Sequence, residues 1–433
     1  MSTRRHHPHG SRLTLNKSIK LEKPLRAYAT VTASYWSFML TDGALRMLVL
    51  LHFNALGFSP LQLAWLFLLY ELAGIITNLS AGWLAARFGL LSTLYSGLII
   101  QIGALTALIG LDNTWSVTSS VAFVMAVQGA AGIAKDLTKM SSKSAVKLLA
   151  PSEDGTLFRW VAILTGSKNA IKGLGFFLGA ALLALVGFKA ALWIMAIGLL
   201  IILIAIFFNM PPGLPGRSKK AERLTDWQSK DARINILSLA RLFLFGARDV
   251  WFVVGLPIYF QSVFSDGTPE GNREAFFLVG GFMAIWIIGY GFIQSLAPRL
   301  IGSKNQELSM VVGKAISWSA LLVPLPFVLS IAVWFADSSS SWLTFTLIFG
   351  LLIFGFIFAI NSSLHSYLIL AFGDTDRITR DVGFYYMANA AGRLIGTLLS
   401  GLSYQFGGLA CCLLVAGLMT FLSWFTAKKL KHI

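Results

Sequence analysis

Seven basic side chains sit inside stretches that otherwise read as hydrocarbon: Arg46, Lys168, Lys172, Arg241, Arg248, Lys314 and Arg393. The clear acids in the same stretches are Asp42, Glu71 and Asp249. A charge at the centre of a bilayer costs about 2.5–3.5 kcal/mol on insertion scales, so such residues are expected to face a cavity or a partner. The excess of cations predicts a positively charged cavity, and a positive cavity suits an anion. Lys314 is the exception, near enough to a helix end to reach the interface.

Helical spacing sorts these residues onto faces. Tyr35, Asp42 and Arg46 share one side of a helix, and Asp42 with Arg46 is spaced to pair. That pair reads either as an intrahelical brace or as a substrate contact. Glu71 aligns with Asn78. Lys168 and Lys172 form a stripe with Gly175 and Gly179, with no acid on that face, which points to substrate. Arg241 aligns with Arg248, whereas Asp249 is expected to point elsewhere; Arg248 and Asp249 could equally brace two parts of the molecule. Arg393 is read as a substrate contact, and His365 shares a face with Asn361. The candidate anion ligands are therefore Arg46, Lys168, Lys172, Arg248 and Arg393, with Tyr35, Lys135, Arg241 and His365 around them. Asp42, Glu71 and Asp249 are the candidate proton carriers. Lys135, Lys139, Lys143 and Lys147 recur every four residues, a ladder about 18 Å long if helical. It would draw anions inward or simply form a solvated basic face.

Other chemistry is absent from the sequence. No nucleotide-binding loop, zinc-protease helix or nucleophile triad is present, so neither an ATP-driven pump nor an enzyme is expected. Cys411 and Cys412 are adjacent in an apolar run, with no metal-ligand spacing, and no cofactor is expected. The 433 residues are 56% hydrophobic and only 12% charged, against about 25% charged in soluble domains. Apolar runs of the length a bilayer requires recur along the chain. The reading is an all-α membrane protein.

Twelve helices must position the charged faces, near 29–54, 61–84, 90–111, 117–138, 158–186, 190–208, 234–262, 275–296, 307–334, 342–370, 382–404 and 409–427. The longest polar break, 209–233, separates a first bundle of six (29–208) from a second (234–427), with a basic tail at 1–28 and a short one at 428–433. Of the 35 Lys and Arg residues, most fall on the side of both termini, which the positive-inside rule places in the cytoplasm. The net charge of +16 is thus topological, and no nucleic acid partner is expected. No signal peptide is apparent. The third and sixth helices of each bundle carry almost no charge, as lipid-facing helices would. GALR at 43–46 and GARD at 246–249, and NAIKG at 169–173 and NAAGR at 389–393, recur in the same order. Parallel repeats of six spans are the mark of the major facilitator architecture.

Four strings carry a closer likeness: TDGALRMLVLLHF (41–53), GIAKDLTKMSSKSAVKLL (132–149), WVAILTGSKNAIKGLGFFLG (160–179) and ARLFLFGARDVWFV (240–253). They resemble organoarsenical efflux permeases of ArsJ type, within the major facilitator superfamily, over nearly the whole chain from Tyr28. GWLAARFG (82–89) keeps the glycines and arginine of the superfamily loop but has Ala86 where an aspartate is usual. The resemblance implies export of 1-arseno-3-phosphoglycerate, formed from arsenate by a glyceraldehyde-3-phosphate dehydrogenase that would be the functional partner. It implies arsenate resistance, with no cofactor, in a bacterial inner membrane. A monomer working by alternating access and coupled to protons is expected. Arginine grips such oxyanions bidentately and lysine serves as a point charge. The alternatives are an antiporter of ordinary phosphate esters or other organic anions, and a non-transporting membrane receptor.

Overall fold

The computed structural model describes residues 10–88, 90–112, 114–149, 156–209, 231–301, 307–336, 340–373 and 378–432. The earlier part of the chain forms α1 (Gly10–Ala55), α2 (Pro60–Leu66), α3 (Leu68–Phe88), α4 (Leu90–Ile109), α5 (Val117–Leu149), α6 (Thr156–Val186) and α7 (Phe188–Asn209). The later part forms α8 (Ala232–Val250), a π turn (Trp251–Gly255), α9 (Leu256–Phe264), α10 (Pro269–Ile301), α11 (Leu308–Leu322), α12 (Pro324–Phe335), α13 (Ser341–Phe372) and α14 (Ile378–Lys428). Among the described residues there is no strand. Most of the expected linker, 210–230, lies outside them.

Ten stretches of these helices are long and apolar enough to cross a membrane. Two expected spans are the arms of α14, which fold back where Gly407 and Gly408 leave helical geometry, Gly408 at φ 59°. The expected span at 29–54 is not among the ten; Asp42, Arg46 and several hydroxyl residues dilute it. Its helix also starts earlier than expected, since α1 begins at Gly10, inside the stretch read as a basic tail. Other single spans are broken internally. Ser59 and Gln62 form a capping box with Pro60 behind it, starting α2, and Phe67 joins it to α3. The π turn before Pro257 frees backbone N–H groups, and Ser400 Oγ accepts those of Val254 and Gly255, each at 3.1 Å.

Close packing depends on glycine. A side chain on Gly179 would run into the Ala44 carbonyl, and Gly43 lies 2.7 Å from the Lys172 carbonyl by the same construction, so α1 and α6 touch backbone to backbone. A side chain on Gly392 would meet the Leu242 carbonyl, and Gly396 would meet that of Gly246 at 2.6 Å, so α8 and α14 do the same. The repeated strings GALR and GARD thus occupy matching contacts. At the end where α1 finishes, Asn54 Nδ2 donates to Gln261 Oε1 at 2.7 Å, and the Leu61 N–H to Gln405 Oε1 at 3.3 Å. Earlier and later helices are held together there. Outward faces are apolar: Ile194, Ile201, Ile204 and Phe208 on α7, and Val328, Ile331 and Phe335 on α12, are exposed. Such faces suit hydrocarbon chains and make this a multi-pass membrane protein.

Overpacking a helix contact costs about 1–3 kcal/mol. Gly392→Val is expected to lower stability by at least that range, because backbone rather than a flexible side chain blocks it. Gly281→Val, with no heavy atom within 4 Å of the added carbon, is expected to stay within about 0.5 kcal/mol of the parent. Unfolding curves in detergent would check both.

Candidate functional site

The close approach of α1 to α6 and of α8 to α14 leaves a cavity between the two pairs, closed on a third side by α10. Counting the part open to solvent, it holds about 680 Å³ of empty space. Five cations line it: Arg46 from α1, Lys168 and Lys172 from α6, Arg248 from α8 and Arg393 from α14. One acid lines it, Asp249. Asn169, Asn389 and Tyr290 add polar groups, and Phe176, Phe245 and Phe252 add apolar walls.

Behind the cations stand carboxylates that lie mostly on other helices. Glu71 on α3 accepts from Arg46 Nη1 at 2.9 Å and from Arg393 Nη2 at 2.6 Å, both on Oε1. Asp249 accepts from Arg393 Nε at 3.2 Å and from Arg248 Nη2 at 2.5 Å. Lys172 Nζ lies 3.7 Å from Asp42, which also accepts the Tyr70 hydroxyl at 2.7 Å. Asp42, Glu71 and Asp249 are all nearly fully buried. Three carboxylates thus stand against four of the five lining cations. The arrangement is a preorganised set of N–H donors on cationic groups, able to bind a multivalent oxyanion.

Two pairings differ from those the spacing suggests. Arg46 bonds Glu71, not its i−4 neighbour Asp42, because α3 brings a carboxylate against its guanidinium end-on. Arg248 folds back onto Asp249, its next residue in the chain, instead of pointing away from it. Four further candidates do not line the cavity. Tyr35 is buried, and its hydroxyl has no partner among the described residues. Lys135 lies over the Tyr70 ring at 4.0 Å. Arg241 donates to Asn389 Oδ1 at 3.1 Å and to the Ser362 carbonyl at 2.9 Å, against the Phe245 ring. His365 is fully buried on α13, with neither ring nitrogen bonded to a described residue.

The sequence pattern hid one acid. Asp136 is 1% exposed, accepts the Thr77 hydroxyl at 2.5 Å, and lies 3.5 Å from Lys139 and 3.9 Å from Lys135. Set among four lysines it reads as part of a basic run. Its position three residues before Lys139 was the available signal. The first two rungs of the lysine ladder are thus paired inside the protein, while the side chains of Lys143 and Lys147 lie outside the described residues. The lining amides and aromatics gave no signal in an apolar sequence. No group of three His, Cys, Asp or Glu side chains able to hold a metal occurs among the described residues.

Comparison with known proteins bears on what this cavity belongs to. The family model described as Major Facilitator Superfamily matches residues 31–397. No curated protein sequence matches the chain. The fold is similar to that of a mutant of the nucleoside transporter NupG, with a TM-score of 0.68 and 16% identity over 94% of this chain and 99% of that one. It is also similar to a bacterial homologue of the iron transporter ferroportin in an inward-facing state, with a TM-score of 0.67 and 13% identity over 96% and 99%. At these identities the likeness is one of fold.

Removing one partner of a buried ion pair typically costs about 3–5 kcal/mol, because the other charge is left uncompensated. Arg393→Met is expected to fall in that range, since both Glu71 and Asp249 lose a donor. Adding Glu71→Gln to that variant is expected to restore part of the loss. Denaturant unfolding of the single and double variants would measure the coupling.

Proposed function

The chain belongs to the major facilitator superfamily, and on that premise we propose that it exports a small, multiply charged organic oxyanion by alternating access. The chain is a membrane transporter rather than an enzyme. The observation that carries the proposal is the cavity itself, with five cations and a single acid on its walls. Sugars and nucleosides do not call for five cations. A three-carbon skeleton bearing an oxyanion at each end does, since each end can take bidentate arginine contacts and lysine point charges.

Together with the sequence resemblance, this chemistry favours 1-arseno-3-phosphoglycerate as cargo and arsenate resistance as the outcome. Export would clear the ester as a glyceraldehyde-3-phosphate dehydrogenase makes it. The resemblance favours a bacterial inner membrane, and the distribution of Lys and Arg favours both termini in the cytoplasm. We count twelve spans, taking α1 and each arm of α14 separately, in two bundles of six that rock around the cavity as one monomer. Proton movement through Asp42, Glu71 or Asp249 would couple the cycle to the proton gradient.

Everted membrane vesicles supplied with purified dehydrogenase, glyceraldehyde 3-phosphate, NAD and radiolabelled arsenate should accumulate arsenic only when the mixture is complete. Uptake without the dehydrogenase would make arsenate itself the cargo. Equal inhibition by 3-phosphoglycerate would shift the assignment to phosphate esters. Lys172→Ala and Arg46→Ala are each expected to reduce uptake about tenfold or more, the loss that corresponds to one charge-assisted contact. An ionophore that collapses the proton gradient without slowing uptake would remove the coupling to protons.

A further inference from the structure

We infer that Glu71 is a built-in competitor of the transported anion, holding the two arginines the cargo needs and so setting the least charge a cargo must carry. The inference rests on reading the cavity as an anion site. Its basis is geometric. One oxygen of Glu71 takes Arg46 at 2.9 Å and Arg393 at 2.6 Å. Those arginines come from α1 and α14, 347 positions apart by their numbers, and both line the cavity, whereas Glu71 does not. Asp249 pairs only with arginines of the later helices, and Asp42 is farther from its cation, at 3.7 Å. Among the described residues, Glu71 alone bridges the two parts of the chain through ion pairs with cavity residues.

A carboxylate in that position does what one end of the cargo would do. Each guanidinium offers five N–H donors, and Arg46 Nη2 is buried with no partner among the described residues. The donors for an incoming oxyanion are present, but Glu71 already holds part of their charge. A monoanion that replaced Glu71 would exchange one carboxylate for another and leave Glu71 buried without a counter-charge, at a net loss. A dianion or trianion gains contacts from Lys168, Lys172 and Arg248 that outweigh that loss. The device rejects common metabolic monoanions by a repulsive element rather than by shape.

The test is equilibrium binding to the purified full-length protein in mildly alkaline buffer, with 3-phosphoglycerate and glycerate as probes of high and low charge. Glu71→Gln is expected to bind 3-phosphoglycerate about tenfold tighter than the parent, one decade in the dissociation constant. Glycerate should gain by a larger factor, so that discrimination between the two shrinks. If Glu71 merely positions the arginines, the same change would loosen them and weaken binding, the opposite sign. Unchanged or weaker binding by a variant that elutes as a folded, monodisperse protein at the assay temperature therefore overturns the inference. Glu71→Asp keeps the charge but is one methylene too short to reach both arginines, and should give a smaller gain of the same sign. Its failure to do so would also overturn the inference. If the parent binds and neither variant gains, the anion site stands and the competitor role falls; if none of the three proteins binds either probe, both fall.

Discussion

A cation surrounded by hydrocarbon needs a counter-charge within a few ångströms, and this requirement organises the centre of the molecule. Arg46, Arg248 and Arg393 each have a carboxylate within hydrogen-bonding distance, and the contacts of Arg393 with Glu71 and Asp249 join helices far apart in sequence. Glu71 draws α3 toward both α1 and α14, and Asp249 ties α8 to α14. The charges that line the cavity are the same ones that fix its walls. Substitution of one of them is therefore expected to change stability as well as the charge of the cavity.

Such pairs are short only because the backbones come close. Glycines at 43, 175 and 179 seat α1 on α6, and those at 246, 392 and 396 seat α8 on α14. Arg46 follows Gly43 by three residues, Arg248 follows Gly246 by two, and Arg393 follows Gly392 directly. Each cation is thus carried on the stretch of helix that packs most tightly. The small residues set the distance between helices, and the charged ones use it.

The five cavity cations were legible because a base in an apolar run has few reasons to be there. Their partners were not. Spacing rules relate residues on one helix, so Asp42 and Arg46 look paired, whereas the partner of Arg46 is 25 residues away and that of Arg393 is 322 residues away. Tyr35, Arg241 and His365 carry the right chemistry for a site, yet burial behind the walls depends on helix rotation, which a single sequence does not encode. The helical membrane character followed from composition, and the division of α14 into two arms from its separate apolar runs at 382–404 and 409–427, with Gly407 and Gly408 at the turn seen only in the structure. The breaks at the π turn and between α11 and α12 did not, because a proline in an apolar run leaves the hydropathy unchanged.

Five cations on the cavity wall have an electrical consequence. Carrying one elementary charge across a membrane potential of 100 mV involves about 2.3 kcal/mol. A site walled by five cations and one carboxylate is more positive when empty than when an anion fills it. The voltage then acts more strongly on the empty form than on the filled one, pulling its site toward the negative side of the membrane.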